Sequence, residues 1–240
     1  PVSDPQNYAH VQTLMDTANF ATYNAVEIFC ANTDWPQNNI KYWRPRTPEG
    51  RWRWLLYDLD FGFGGNTGVN NNTLNHAMKG SGWDTFIFRE LMTNAEFKQD
   101  FTNGYADIMN SVFTPDNMLG ILSGFAAQAD PEIDRHFSRW SGTRTKWEAN
   151  LQNMGAFINQ RHAYARGHVV SELGFVGEYQ LDLDVQPAGA GYLKLTTLDV
   201  SDPFTGVYFM GNPVKVTAVA APGYAFDSWS DPLLPNTESV

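Results

Sequence analysis

Apolar positions along the chain recur in two rhythms. From about residue 85 to 174 the rhythm is helical: Phe97, Phe101, Tyr105, Ile108 and Val112 step by 4, 4, 3 and 4, which lines one side of a helix. Thr114-Pro115 and Asp130-Pro131 each set a capping residue before a proline, so each predicts the start of a further helix. A last long helix is predicted to carry Trp147, Leu151, Met154, Ile158, Ala165 and Val169 on its apolar side. Beyond Gly174 the rhythm shortens to two, in Tyr179, Leu181 and Leu183, then Tyr192–Leu195, Val207–Phe209 and Val214–Val219. Gly and Pro interrupt these runs, which predicts a small antiparallel β unit over 177–240. Its last residues form no obvious strand, so a truncated unit is expected.

The first 84 residues are mixed. A helix is predicted over about 17–31, with Asp16 as N-cap and Phe20, Tyr23, Ile28 and Phe29 on its apolar face. It stops before Asn32-Thr33-Asp34-Trp35-Pro36, because the residue before a proline disfavours helix. Ile40–Arg44 and Trp52–Tyr57 read as strands joined by the turn Thr47-Pro48-Glu49-Gly50. Gly62–Gly68 and the Asn-rich stretch through Gly82 read as one long exposed loop. The expected class is α+β: a mostly helical body with one hairpin, then a small all-β domain.

Composition narrows the function classes. With 240 residues, 42% of them hydrophobic, the chain can build one large core or two smaller ones. Its formal charge of -10 argues against nucleic acid as a partner and suits a basic protein or a divalent cation. A single cysteine, Cys30, excludes an internal disulfide framework and a cysteine zinc site. No apolar run reaches the length of a membrane span. The chain begins at Pro1 rather than Met, as expected of a processed or excised piece. The five histidines show no ligand spacing, and Arg161 and Arg166 are expected at the surface or in ion pairs.

Chemistry concentrates around the hairpin. Strand alternation through Trp52–Asp58 sets Trp52, Trp54, Leu56 and Asp58 on one side, with Asp60 following if the extended geometry continues. Asp34 and Asn39, five positions apart, stand at the hairpin's other entrance. Each alone could be a turn cap. Together the four predict one solvent-facing pocket of hard oxygen donors suited to a cation. Protein kinases carry an Asp and an Asn five apart on the catalytic loop, then an Asp-Phe-Gly whose Asp holds Mg²⁺. Here Asp34, Asn39, the hairpin and Asp60-Phe61-Gly62 follow in that order.

Met15-Asp16, Asn19-Phe20, Tyr23, Asn32–Pro36, Asn38–Lys41, Trp52–Trp54 and Asp58–Asp60 together resemble the CotH family, the spore-coat-type atypical protein kinases. The resemblance continues through Phe97, Phe101, Glu132-Ile133, His136, Arg139-Trp140 and Arg161, so it covers about residues 1–176. It implies a divergent kinase fold, ATP with Mg²⁺ or Mn²⁺, and a protein as phosphoryl acceptor. By the same resemblance Asp34 is the catalytic aspartate, Asn39 a metal ligand, and Asp58 or Asp60 the Asp-Phe-Gly aspartate; we favour Asp58. Two departures stand out. Asn32-Thr33 replaces the His-Arg that ordinarily precedes the catalytic Asp, and residues 1–40 contain no Lys or Arg. The nucleotide-gripping N-lobe is therefore expected to be missing from these 240 residues.

In the tail, Gly206, Tyr208-Phe209, Gly211, Val214–Ala218, Gly223–Phe226 and Trp229-Ser230 resemble the internalin B-repeat type of bacterial surface protein. That resemblance implies a secreted or cell-surface location in a bacterium. The leading expectation is the C-lobe of a CotH-like kinase fused to a β module, inactive by itself. The alternative is a non-enzymatic extracellular structural or binding protein that keeps the acidic site as a scaffold. Metal-dependent hydrolysis by paired carboxylates is a third reading.

Overall fold

A computed structural model describes all 240 residues. At its centre lies α2 (Thr17–Cys30), with every residue from Tyr23 to Cys30 buried. It opens on Asp16, whose Oδ1 accepts from the Asn19 amide at 3.1 Å, and closes on Ala31 in the left-handed conformation at φ 55°. A helix whose C-terminal half is buried throughout needs neighbours on every side there, and the rest of the chain supplies them.

Before it runs α1 (Pro5–Leu14), capped by Asp4, whose Oδ1 accepts from the Gln6 amide at 2.8 Å. Only Tyr8 of α1 is buried, so it has no apolar stripe, and Asp4-Pro5 is its one start signal in the sequence. After α2 come β1 (Lys41–Trp43) and β2 (Arg53–Leu55), an antiparallel hairpin with Tyr42 opposite Trp54. Asn19 fixes this hairpin to α2: its Oδ1 accepts from the Trp54 amide at 2.6 Å and its Nδ2 donates to the Trp54 carbonyl at 3.2 Å. The Trp54 ring meets Phe20 edge-on at 4.6 Å, and Arg53 pairs with Asp16 at 2.9 Å. One aspartate thus both caps α2 and clamps the hairpin.

The stretch expected as one exposed loop is not all loop. It contains α3 (Thr73–Lys79), capped by Asn72, with Leu74 and Ala77 fully buried. Seven residues are too few for a helical rhythm to stand out. Then follow α4 (Phe86–Leu91) and α5 (Ala95–Asn110), whose Phe97, Phe101 and Tyr105 pack among Phe88, Phe20 and Phe29. Val112 lies past the end of α5 and is exposed.

Asp130-Pro131 does not open a new helix. A single helix, α6 (Pro115–Arg139), runs through Pro131. Pro131 sits on an exposed stretch, where the carbonyl deprived of its partner can turn to water. Asp130 and Asp134 instead hold Arg144, the first residue of α7 (Arg144–Leu173), with Asp134 at 2.9 Å.

The tail comprises β3 (Glu178–Leu183), β4 (Gly191–Lys194), β5 (Asp199–Val200), β6 (Phe204–Phe209) and β7 (Thr217–Ala220). Strands β3 and β6 pair, and β5-β4-β7 form a second sheet, all antiparallel. The final residues do pair: Val216 and Val240 exchange both backbone hydrogen bonds, and the Ala218 amide donates to Glu238. The architecture is α+β, a helical body with one hairpin followed by a small antiparallel tail. Leu193, Leu195, Val200, Tyr208, Phe209 and Val216 of the tail share one hydrophobic core with the helices. The seam is polar on the α5 side. Asp107 accepts from the Thr197 amide and hydroxyl, each at 2.8 Å, and from the Tyr208 hydroxyl at 2.7 Å. Asn103 donates to the Pro213 carbonyl at 2.8 Å, and Asn110 accepts from the Val207 amide at 3.1 Å.

Candidate functional site

Leaving α2, the chain turns sharply at Asn32. This side chain forms a local turn of its own, its Oδ1 accepting from the Asp34 amide at 3.1 Å. Asn32 is fully buried, and its Nδ2 donates to Glu27 Oε2 at 2.9 Å and to the Asp58 carbonyl at 3.4 Å. Asp34 is thereby held between the end of α2 and the segment after the hairpin.

Asp34 Oδ2 accepts from the side-chain Nδ2 groups of Asn38 and Asn39, both at 3.0 Å. Asp34 Oδ1 has no protein partner. Asn39 Nδ2 also reaches the Asp58 carbonyl at 3.5 Å. Asn39 and Asp58 both adopt left-handed backbone, at φ 54° and 58°, a conformation that Asn and Asp accept more readily than other side chains.

Extended geometry ends with β2 at Leu55, so strand alternation does not reach Asp58 or Asp60. A turn brings them together instead. The neighbouring Asp60 holds the exposed Asp58 carboxyl above the usual carboxylate range; Asp34 adds to the effect and Lys41 opposes it. After Asp60, the Phe63 amide donates to the Cys30 carbonyl at 2.8 Å. Gly62 is needed there, because a Cβ would meet the carbonyl oxygens of Cys30 and Leu59 at 3.0 Å. The Asp-Phe-Gly segment is thus seated on the C-terminal end of α2.

Asp34, Asn39, Asp58 and Asp60 therefore lie in one neighbourhood, joined through Asn39 and Asn32. Neighbouring carboxylates are hard donors whose mutual repulsion a divalent cation would relieve. No three His, Cys, Asp or Glu side chains in the chain form a metal cluster by themselves. Any cation held by so few donors would complete its shell with water.

Three features escape the sequence reading. Glu27, with no exposed surface, is the only charged residue of α2, a signal hidden by its place on the stripe of Phe20, Tyr23 and Cys30. Burial raises its carboxyl to about 7, against the pull of Asn32, which donates to it, and of the nearby Tyr23 hydroxyl. Arg161, expected at the surface or in an ion pair, is in neither. It is fully buried and donates to the carbonyls of Phe29 at 2.7 Å, Ile28 at 2.8 Å, Val69 at 2.6 Å and Asn71 at 2.9 Å. It ties the end of α2 to the loop behind the Asp-Phe-Gly segment. Beside the site lies a cavity of about 780 Å³ lined by Trp35, Asn38, Asn39, Trp54, Trp83 and Phe86 among others.

A family model described as CotH kinase protein matches residues 2–165, and one described as a divergent InlB B-repeat domain matches residues 199–239. No curated protein and no solved structure matches the chain.

Proposed function

The chain belongs to the CotH kinase protein family, and on that premise we propose that it carries the phosphoryl-transfer end of an atypical protein kinase. Residues 1–176 form the kinase-like C-lobe in this reading, and residues 177–240 a β module of a bacterial surface or extracellular protein. The family uses nucleotide and divalent metal in general; ATP with Mg²⁺ or Mn²⁺ is the pair we assign.

Asp34 is the catalytic aspartate. Asn38 and Asn39 occupy one of its oxygens, and the other is left to receive the proton of an acceptor hydroxyl. Asn39, with its nitrogen turned to Asp34, offers its amide oxygen to a cation alongside Asp58 and Asp60. When bound, the cation neutralises charge on the transferring phosphoryl group. The net charge of -10 favours a basic protein as acceptor. The observation that carries the reading is the hydrogen-bonded junction of Asp34, Asn39 and Asp58 inside the family-matched segment.

Calorimetry with ATP, with and without Mn²⁺, tests it. Metal-dependent binding that is lost in Asp58→Ala and kept in the hairpin-turn control Glu49→Ala is the expected result. No binding under either condition would overturn the assignment.

A further inference from the structure

Behind the acidic site lies a buried polar cluster that the phosphoryl-transfer reading does not use. Glu27 Oε1, the Tyr23 hydroxyl and Trp35 Nε1 are all buried, and none has a hydrogen-bond partner. Tyr23 neighbours both of the others. Glu27 has one well-made contact, and it leads directly to the site. Its Oε2 accepts from Asn32 Nδ2 at 2.9 Å, while Asn32 Oδ1 receives the Asp34 amide at 3.1 Å and the same Nδ2 reaches the Asp58 carbonyl at 3.4 Å.

We propose that Glu27 is a positioning residue: a rigid strut from the core of α2 that orients Asn32 and through it fixes Asp34 relative to Asp58. Three geometric facts carry this. Glu27 opens the last turn of α2, and its carbonyl accepts from the backbone at the helix end, which holds its backbone in place. Asn32 is fully buried, so its amide depends on protein partners, not water, for its orientation. Without an acceptor at Oε2, the Asn32 amide could rotate and offer Asp34 its nitrogen, which cannot accept the Asp34 N–H. Glu27 touches neither substrate nor cation in this account; it acts only through Asn32.

The test compares Glu27→Gln with Glu27→Asp. Glutamine removes the charge and keeps the reach; aspartate keeps the charge and falls one methylene short of Asn32. Amide hydrogen exchange at Asp34 is read by NMR on the full 240-residue chain, beside exchange at Phe101 in α5 as a measure of global opening. In Glu27→Gln the Asp34 amide should keep its wild-type protection. In Glu27→Asp it should exchange about 10-fold faster, the equivalent of one hydrogen bond, with Phe101 less affected. Glu27→Met serves in place of Asp if shortening unfolds the chain. Equal protection of Asp34 in all variants, or loss in Gln but not in Asp, would overturn the proposal. Its consequence for metal rests on the kinase reading: Mn²⁺ broadening of the Asp58 and Asn39 signals should weaken in Glu27→Asp and persist in Glu27→Gln. Broadening that weakens equally in both would also count against the strut. A wild-type chain that binds no Mn²⁺ would remove the kinase reading and leave the exchange result to decide the strut.

Discussion

Replacing Glu27 by Gln should change how stability depends on pH, and the size follows from burial. In the folded chain the Glu27 carboxyl titrates near 7, whereas an unfolded Glu titrates near 4.5. The folded state therefore binds this proton more tightly, and stability falls as pH rises through the window between those values. Below 4.5 both states hold the proton, and above 7 both have released it, so the loss is complete and then constant. At about 1.4 kcal/mol per pH unit the window is worth about 3 kcal/mol. Gln does not titrate and can still accept from Asn32. The stability difference, Gln variant minus wild type, should thus grow by about 3 kcal/mol between pH 4 and pH 8. Urea unfolding of both proteins at several pH values and constant ionic strength measures it. Asp100 and Asp107, which burial also holds above the usual carboxylate range, are present in both proteins and cancel. A difference that stays flat across the window, or grows toward acid pH, would refute the reasoning by showing that the folded state solvates this carboxylate.

Other consequences follow from the same contacts. The 240-residue chain should bind ATP weakly, only with metal, and show no measurable phosphoryl transfer to a basic protein in a radiolabel assay, since residues 1–40 supply no Lys to hold the phosphates; robust transfer would show that the acidic end suffices. Arg161→Met should cost about 3 kcal/mol in urea unfolding, because four buried carbonyls lose a charged donor together; a loss under about 1 kcal/mol would mean that those carbonyls find other partners. Tyr208→Phe should cost about 1–3 kcal/mol by stripping a donor from buried Asp107. It should also speed limited proteolysis at the Gly174–Gly177 junction, where we divide the chain; unchanged cleavage would mean that Asp107 does not hold the tail down.

The sequence by itself determined the α+β class, the positions of α2, α5 and the hairpin, and the order Asp34, Asn39, Asp58-Leu59-Asp60. Each is a local property: Asp16 caps its own helix, Phe97 and Phe101 are four apart, and Thr47–Gly50 turns its own chain. Only the tertiary structure decided what those residues touch. Asp58 and Asp60 meet through a turn with left-handed backbone at Asp58, not through strand pleat, and no alternation rule encodes that. Asp130-Pro131 carries a start signal, yet α6 runs through it, because an exposed helix tolerates one missing donor and Arg144 claims the Asp130 carboxylate. Glu27 and Arg161 look like surface charges when read one at a time. Their burial depends on partners distant in sequence: Arg161 on carbonyls up to 133 positions away, and Glu27 on the packing that encloses the C-terminal half of α2 from every side. Burial of a charge is a property of the whole fold, since only the assembled fold can supply donors and acceptors in place of water.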